Sequence, residues 1–242
     1  MRRLGSVAVI GAGLLVSALA GTPGGEAAVD DATVTGKVKF VGKAPANPLI
    51  DMSEEAKCAA KYTTPPREPI VQVNANGALA NVFVYVKTGL PADAKYPTPA
   101  TPVTIDQSGC LYHPRVFGIM VGQTLAIKNS DGILHNIKAL GKKNRLFNIS
   151  QPTTMTTNRS FTTVEVMLPF ECNVHGWMHA WAGVLAHPFF SATGTDGSFS
   201  IKGLPPGTYT LEAFHEKYGT QTATVTVKAA EAKTADFTYT AK

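Results

Sequence analysis

Cys172-Asn173-Val174-His175-Gly176-Trp177-Met178 places a thiolate, an imidazole and a thioether on one short loop, and Leu134-His135-Asn136 adds a second imidazole upstream. Two His, one Cys and a weak Met form the donor set of a mononuclear blue (type 1) copper centre. Thiolate sulfur is soft and suits Cu(I), imidazole suits both oxidation states, and a weak axial thioether helps set the potential. The chemistry this implies is one electron moving on and off a metal. Zinc is the other metal these donors admit: Cys172, His175, His179 and His135 would suit a tetrahedral site. That set leaves Met178 without a role.

Strands must hold these side chains. Val164, Val166, Leu168, Phe170 and Cys172 share one parity across Phe161 to Cys172, which in a strand puts them on one face. Cys172 thus follows a core-facing row. Past the loop, Met178, Ala180, Ala182, Val184 and Ala186 again share a parity, so Met178 rather than His179 points inward. Trp181 and Leu185 lie on the opposite face, which a second domain would cover. Further strands are expected over 33–41, 70–73 and 81–86, the last two split by an Asn76-Gly77 turn. Others are expected at 116–121 and 124–128, and one opens at His135. Lys43 to Pro69 reads as a loop with at most one helical turn near Ser53–Lys61. Pro91 to Pro102, with four prolines, reads as a linker.

The 242 residues fit one large all-β domain or two small ones, and 44% hydrophobic residues can bury a core. Only 16% are charged, and 22 Gly and 16 Pro favour strands joined by tight turns. Met1-Arg2-Arg3 reads as the basic start of a signal peptide, Val7 to Leu19 as its apolar stretch, and Ala18-Leu19-Ala20 as the cleavage site. A second cleavage site ends at Ala27 or Ala28. The apolar run is short and broken by Gly11 and Gly13, so stable membrane insertion is not expected. Export to the periplasm or the exterior follows. The formal charge of +5 falls by two to +3 when Arg2 and Arg3 leave. Lys and Arg are scattered and form no nucleic-acid stripe.

Three cysteines in an exported chain leave one unpaired. If Cys172 binds a metal, Cys58 and Cys110 are free to form a disulfide. In the chain-entropy model a loop of that size is worth about 4 kcal/mol. His113, His187 and His215 read as structural histidines, with a second metal or an interface as the sharper alternative. Trp177 and Trp181 are candidates for a hydrophobic docking patch at the metal's edge, and Trp181 alternatively for interdomain packing. Several chemistries lack their residues. The chain has no Gly-rich phosphate loop, no Gly-x-Ser-x-Gly and no His-Glu-x-x-His. It has no His-x-His pair for a multicopper cluster, and no mature N-terminus that begins with His.

Val103 to Ala186 resembles the cupredoxin family, and most closely its amicyanin branch. Val121-Gly122-Gln123-Thr124, Asn129-Ser130-Asp131, His135-Asn136 and the short Cys172-x2-His175-x2-Met178 loop carry the resemblance. It implies copper ligands His135, Cys172, His175 and Met178. It also implies that Asn136 ties the two ligand loops together and bonds near the thiolate, tuning the metal. His179 directly after Met178 departs from that pattern. The flanks resemble a carboxypeptidase regulatory-like (prealbumin-like) β-sandwich, through Gly36-Lys37-Val38, Asn81-Val82-Phe83-Val84-Tyr85 and "TGTDGSFSIKGLPPGTYTLEAFHEKYG". The whole resembles exported proteins labelled methylamine-utilisation or plastocyanin-like.

The expected organisation is therefore all-β. A signal peptide spans 1–20, with cleavage as late as 28. Residues 30–100 and 189–242 form two parts of one discontinuous sandwich, and 101–188 form a cupredoxin Greek-key sandwich. The implied function is a non-enzymatic electron carrier with one copper, exchanging electrons with a redox protein such as a cytochrome or dehydrogenase. The alternatives are a copper carrier or sensor without electron turnover, and a carbohydrate- or cell-surface-binding module.

Overall fold

The computed structural model describes Met1 and residues 31–241; the signal-peptide expectation falls outside these residues. In chain order the first part supplies β1 (Ala32–Val41), a one-turn helix α1 (Ala56–Ala59) and β2 (Phe83–Thr88). The middle supplies β3 (Val103–Ser108), β4 (Leu111–His113), β5 (Val116–Met120), β6 (Leu125–Asn129), β7 (His135–Ala139) and β8 (Phe147–Gln151). It continues with β9 (Met155–Arg159), β10 (Glu165–Glu171) and β11 (His179–Leu185). The last part supplies β12 (Phe190–Ala192), β13 (Ser198–Leu204), β14 (Gly207–His215), β15 (Gly219–Val227), β16 (Ala232–Thr234) and β17 (Phe237–Thr240). No helix among the described residues is long and apolar enough to cross a membrane.

These strands build two β-sandwiches, one of them from both ends of the chain. Its first sheet centres on β1, which pairs antiparallel with β13 on one edge. On its other edge β1 pairs parallel with β16 and then β17. The facing sheet runs β12-β2-β14-β15. Alternation along β1 turns Val34, Val38 and Phe40 inward, where they meet Val84, Val86, Ile201, Leu211 and Phe237 in one core. The central sandwich stacks β4-β3-β6-β9 on β5-β11-β10-β7-β8. The pairs β3/β6 and β5/β11 are parallel, so the chain crosses between the sheets rather than folding as successive hairpins.

Three expectations about strands are corrected. Residues 70–73 form no strand beyond a single bridge from Val73 to Leu79. The Asn47 side chain takes both backbone groups of Val71, donating to its carbonyl and accepting from its N–H, so no ladder continues there. The even parity of 164–172 holds only for Leu168, Phe170 and Cys172, because a bulge interrupts β10 between Glu165 and Leu168 and Met167 sits at φ 58°. One extra residue inverts the facing of everything before it. Val164 is exposed, and Val166 packs away from the central core. The row in β11 holds as far as Val184; Ala186 lies past the strand and is exposed.

The outer face of β5 and β11 packs against the other sandwich. Gly118 and Gly183 are register partners there. A Cβ on Gly183 would lie 2.1 Å from the Phe83 ring, and one on Gly118 would lie 2.2 Å from Phe190. The paired glycines make the recess that seats both rings. Trp181 and Leu185 join this cluster with Tyr85, Val116 and Met167. At its edge Arg115 makes a two-pronged ion pair with Glu216, at 2.5 and 2.8 Å, with both side chains buried.

Candidate metal centre

Three elements converge at one end of the central sandwich. The start of β7 delivers His135, the end of β10 delivers Cys172, and the loop into β11 delivers His175. Their donor atoms lie within 4.8 Å of one another, and all three residues are buried: 0% exposed for both imidazoles and 4% for Cys172. The two Nδ1 atoms face each other at 2.9 Å, and Cys172 Sγ stands 3.8 Å from His175 Nδ1. Donors about 2.0 Å (N) and 2.3 Å (S) from a shared zinc-sized ion stand roughly 3–4 Å apart. The spacing therefore suits three ligands on one ion. Met178 is fully buried in the same core as Cys172. Its N–H donates to His175 O at 2.9 Å, and its carbonyl accepts from Cys172 N at 3.3 Å, closing the loop on itself.

Neighbouring groups orient the donors. Burial pushes the Cys172 thiol up, but bonds from His135, from His175 and from the backbone N–H groups of Asn136 and His175 outweigh it and bring the thiol down to about 5. The thiolate, which is the metal-binding form, is thus favoured at neutral pH. For His135, burial disfavours the charged form, while Cys172 and Asp131 outweigh it and hold the imidazole above its usual range. Asn136 Oδ1 accepts from Asn173 N at 2.5 Å, joining the His135 and Cys172 loops. Its Nδ2 donates to Asn148.

Asp131 was not singled out as a functional side chain in the sequence. It accepts from His135 Nε2 at 2.9 Å, from Gly109 N at 2.8 Å, from Cys110 N at 2.7 Å, and from Lys61 Nζ at 2.8 Å. Burial raises its carboxyl, but these donors outweigh that and keep it below the usual range. A carboxylate on the far nitrogen of a metal-ligating His is a recurrent arrangement that sets tautomer and ring direction. Its position four residues before His135 was the available signal.

Cys58 and Cys110 form a disulfide, and it lies against the centre. Cys58 Sγ is 3.7 Å from His175 Nε2. Ile50, Met52, Tyr62, Leu111, Ile133 and Trp177 pack around the two cysteines. Trp177 Nε1 donates to Cys110 O at 2.9 Å, and its ring lies 5.1 Å from that of His175. The stretch from Leu49 to Tyr62 thereby covers the imidazole. The expected Trp177/Trp181 patch does not form, because Trp181 belongs to the packing between the sandwiches. The exposed apolar side chains next in sequence to His135 and His175 are Leu134 and Val174, 45% and 42% exposed.

The remaining histidines lie elsewhere. His179 opens β11 opposite Glu171 and is grouped with none of the three donors, which leaves the zinc set of Cys172, His175, His179 and His135 unassembled. His113 is exposed at the end of β4. His187 packs on Tyr96 and Phe189. His215 is fully buried among Tyr218 and Tyr239.

Residues 187–240 match the carboxypeptidase regulatory-like domain family. No curated protein matches the sequence. Among solved structures, a copper-containing nitrite reductase from Thermus scotoductus SA-01 is similar over 40% of this chain and 25% of its own, at 21% identity and TM-score 0.33. The chain thus spans about a quarter of that enzyme's length. A purple cupredoxin from Nitrosopumilus maritimus is similar over 34% of this chain and 97% of its own, at 22% identity and TM-score 0.29. An oxidised proline-to-glycine mutant of amicyanin is similar over 42% and 97%, at 16% identity and TM-score 0.32.

Proposed function

We propose that the protein carries single electrons through one copper ion held by His135, Cys172 and His175, with Met178 as a weak fourth ligand. One observation carries this reading. Two imidazole nitrogens and an ionisation-prone thiol converge at a buried end of the central sandwich, and a buried thioether sits in the same core on a Cys-x2-His-x2-Met loop. Copper, when bound, supplies a one-electron couple. The chain's own residues do the rest. Cys172 offers a soft anionic donor, and the two imidazoles offer lone pairs at Nδ1. Asp131 holds the His135 ring from its other nitrogen, and Asn136 pins the His135 loop to the Cys172 loop. Burial on every side limits rearrangement when the charge changes. Zinc is the weaker reading, since His179 lies outside the cluster and a buried thioether has no part in a zinc site.

An electron carrier needs a redox protein partner, such as a cytochrome or a dehydrogenase. Leu134 and Val174, exposed beside two of the ligands, are where such a partner comes nearest to the centre. The chain performs no bond chemistry in this reading, and the regulatory-like sandwich serves as a rigid mount. Repeated electrochemical oxidation and reduction of the copper-loaded protein tests it. A reversible one-electron wave with copper retained supports a carrier. Loss of copper on each reduction would instead indicate a copper-delivery or sensing role.

A further inference from the structure

On the copper reading above, a metal ion must reach three donors that are all buried. His135 and His175 are 0% exposed. The cover from Leu49 to Tyr62 is fastened over them at three points. Tyr62 donates to Gly109 O at 2.6 Å, Lys61 pairs with Asp131 at 2.8 Å, and Cys58 is bonded to Cys110. The disulfide is the covalent tie, and its two sulfurs are not remote from the centre. Cys58, Glu55 and His175 form one group whose donor atoms lie within 4.8 Å of one another. Cys110, Asp131 and His135 form another. Each flanking group shares an imidazole with the central one, so donor atoms run without a gap from the cover to Cys172.

We propose that the Cys58–Cys110 pair, in its reduced dithiol state, is a binding site for a soft monovalent metal ion on its way into the buried centre, and that closing the disulfide shuts that way. A dithiol reductant would attack one sulfur, pass through a mixed disulfide and leave as its own disulfide. Two electrons and two protons then reside on Cys58 and Cys110 as thiols. Two thiolates side by side suit Cu(I), and Glu55 and Asp131 stand beside them as further donors. Transfer to an exported disulfide-bearing oxidant returns the two electrons and re-forms the bond, with the metal beneath the cover. A disulfide that only staples the loop would hold no metal when reduced.

The test uses the whole chain. In Cys172→Ser the remaining thiols are Cys58 and Cys110. It is reduced with a phosphine, desalted without air and offered Cu(I) against a chromogenic Cu(I) chelator. The reduced form is expected to retain about one Cu(I) per chain and the disulfide form about a tenth of that or less. Wild-type apoprotein, which needs no variant, is expected to take up copper faster when reduced than when oxidised. Equal retention by the two forms of Cys172→Ser would overturn the proposal. So would equal uptake rates, or loss of the β-sheet circular dichroism on reduction. Failure of the electron-carrier reading would show separately, as absence of a blue band in loaded wild type, and leaves the Cys172→Ser result decisive on its own.

Discussion

At the scale of single residues, the candidate centre is a small set of donors whose directions are fixed by the groups packed around them. Asp131 is the clearest case, since one buried carboxylate receives His135, Lys61 and two backbone N–H groups. Asp131→Ala is expected to weaken metal affinity by about 10–100-fold. Competition against a chelator measures this, and an unchanged affinity would mean that the His135 ring needs no outside hold. Asn136→Ala removes the bond to Asn173 N but no donor. Metal release from it is expected to quicken by about tenfold or more, with the thiolate absorption kept. Much of this residue-level picture was legible beforehand. The spacing of Cys172, His175 and Met178, with the parity of Leu168, Phe170 and Cys172, pointed to one loop, and His135-Asn136 pointed to the second, and the fold brings Cys172, His175 and His135 together. Asp131 and the disulfide's place against His175 were not legible. Asp131 stands only four residues before His135, but its other partners are residues 61, 109 and 110, and the disulfide's contact joins residues 58, 110 and 175; such separations leave no periodic trace in a sequence.

At the scale of elements, local pattern was reliable where a strand alternates without interruption, as in β1 and β11, and misleading where it does not. The bulge at Met167 left no sign because its left-handed backbone is occupied by a residue other than glycine. The short strands β8, β9, β12 and β16 went unseen for a different reason. β9 and β16 are polar and largely exposed, and pairing with β6 and β1 makes them strands. The β14–β15 hairpin carries a pH-dependent prediction. Burial pushes the His215 imidazole down to about 4, with Glu216 opposing and Arg115 reinforcing the shift. The unfolded chain takes up that proton nearer pH 6.5. The unfolded state therefore binds more protons between these values, and stability falls as pH drops from about 6.5 to 4, by roughly 3 kcal/mol in all. Urea unfolding should show this slope in wild type and a shallower one in His215→Phe. Equal slopes would place the acid sensitivity elsewhere.

At the scale of the whole molecule, a sandwich built from both ends of the chain packs on one outer face of the central sandwich. The sequence showed that Trp181 and Leu185 needed a cover, but not that Gly118 and Gly183 would face each other across β5 and β11 to admit Phe190 and Phe83. Gly183→Val fills that recess and is expected to cost about 1–3 kcal/mol by overpacking. Calorimetry should then show one cooperative transition becoming two as the sandwiches uncouple; an unchanged single transition would mean that this face is not what couples them. Removing Glu216 strands a buried Arg115 charge and is expected to cost about 3–5 kcal/mol. The proposed copper centre is most directly tested by the visible spectrum of the whole protein loaded with Cu(II), beside Cys172→Ser. The account expects an intense blue absorption from thiolate-bound copper that the substitution abolishes. A colourless wild type that takes up no copper after reduction and reoxidation would contradict it.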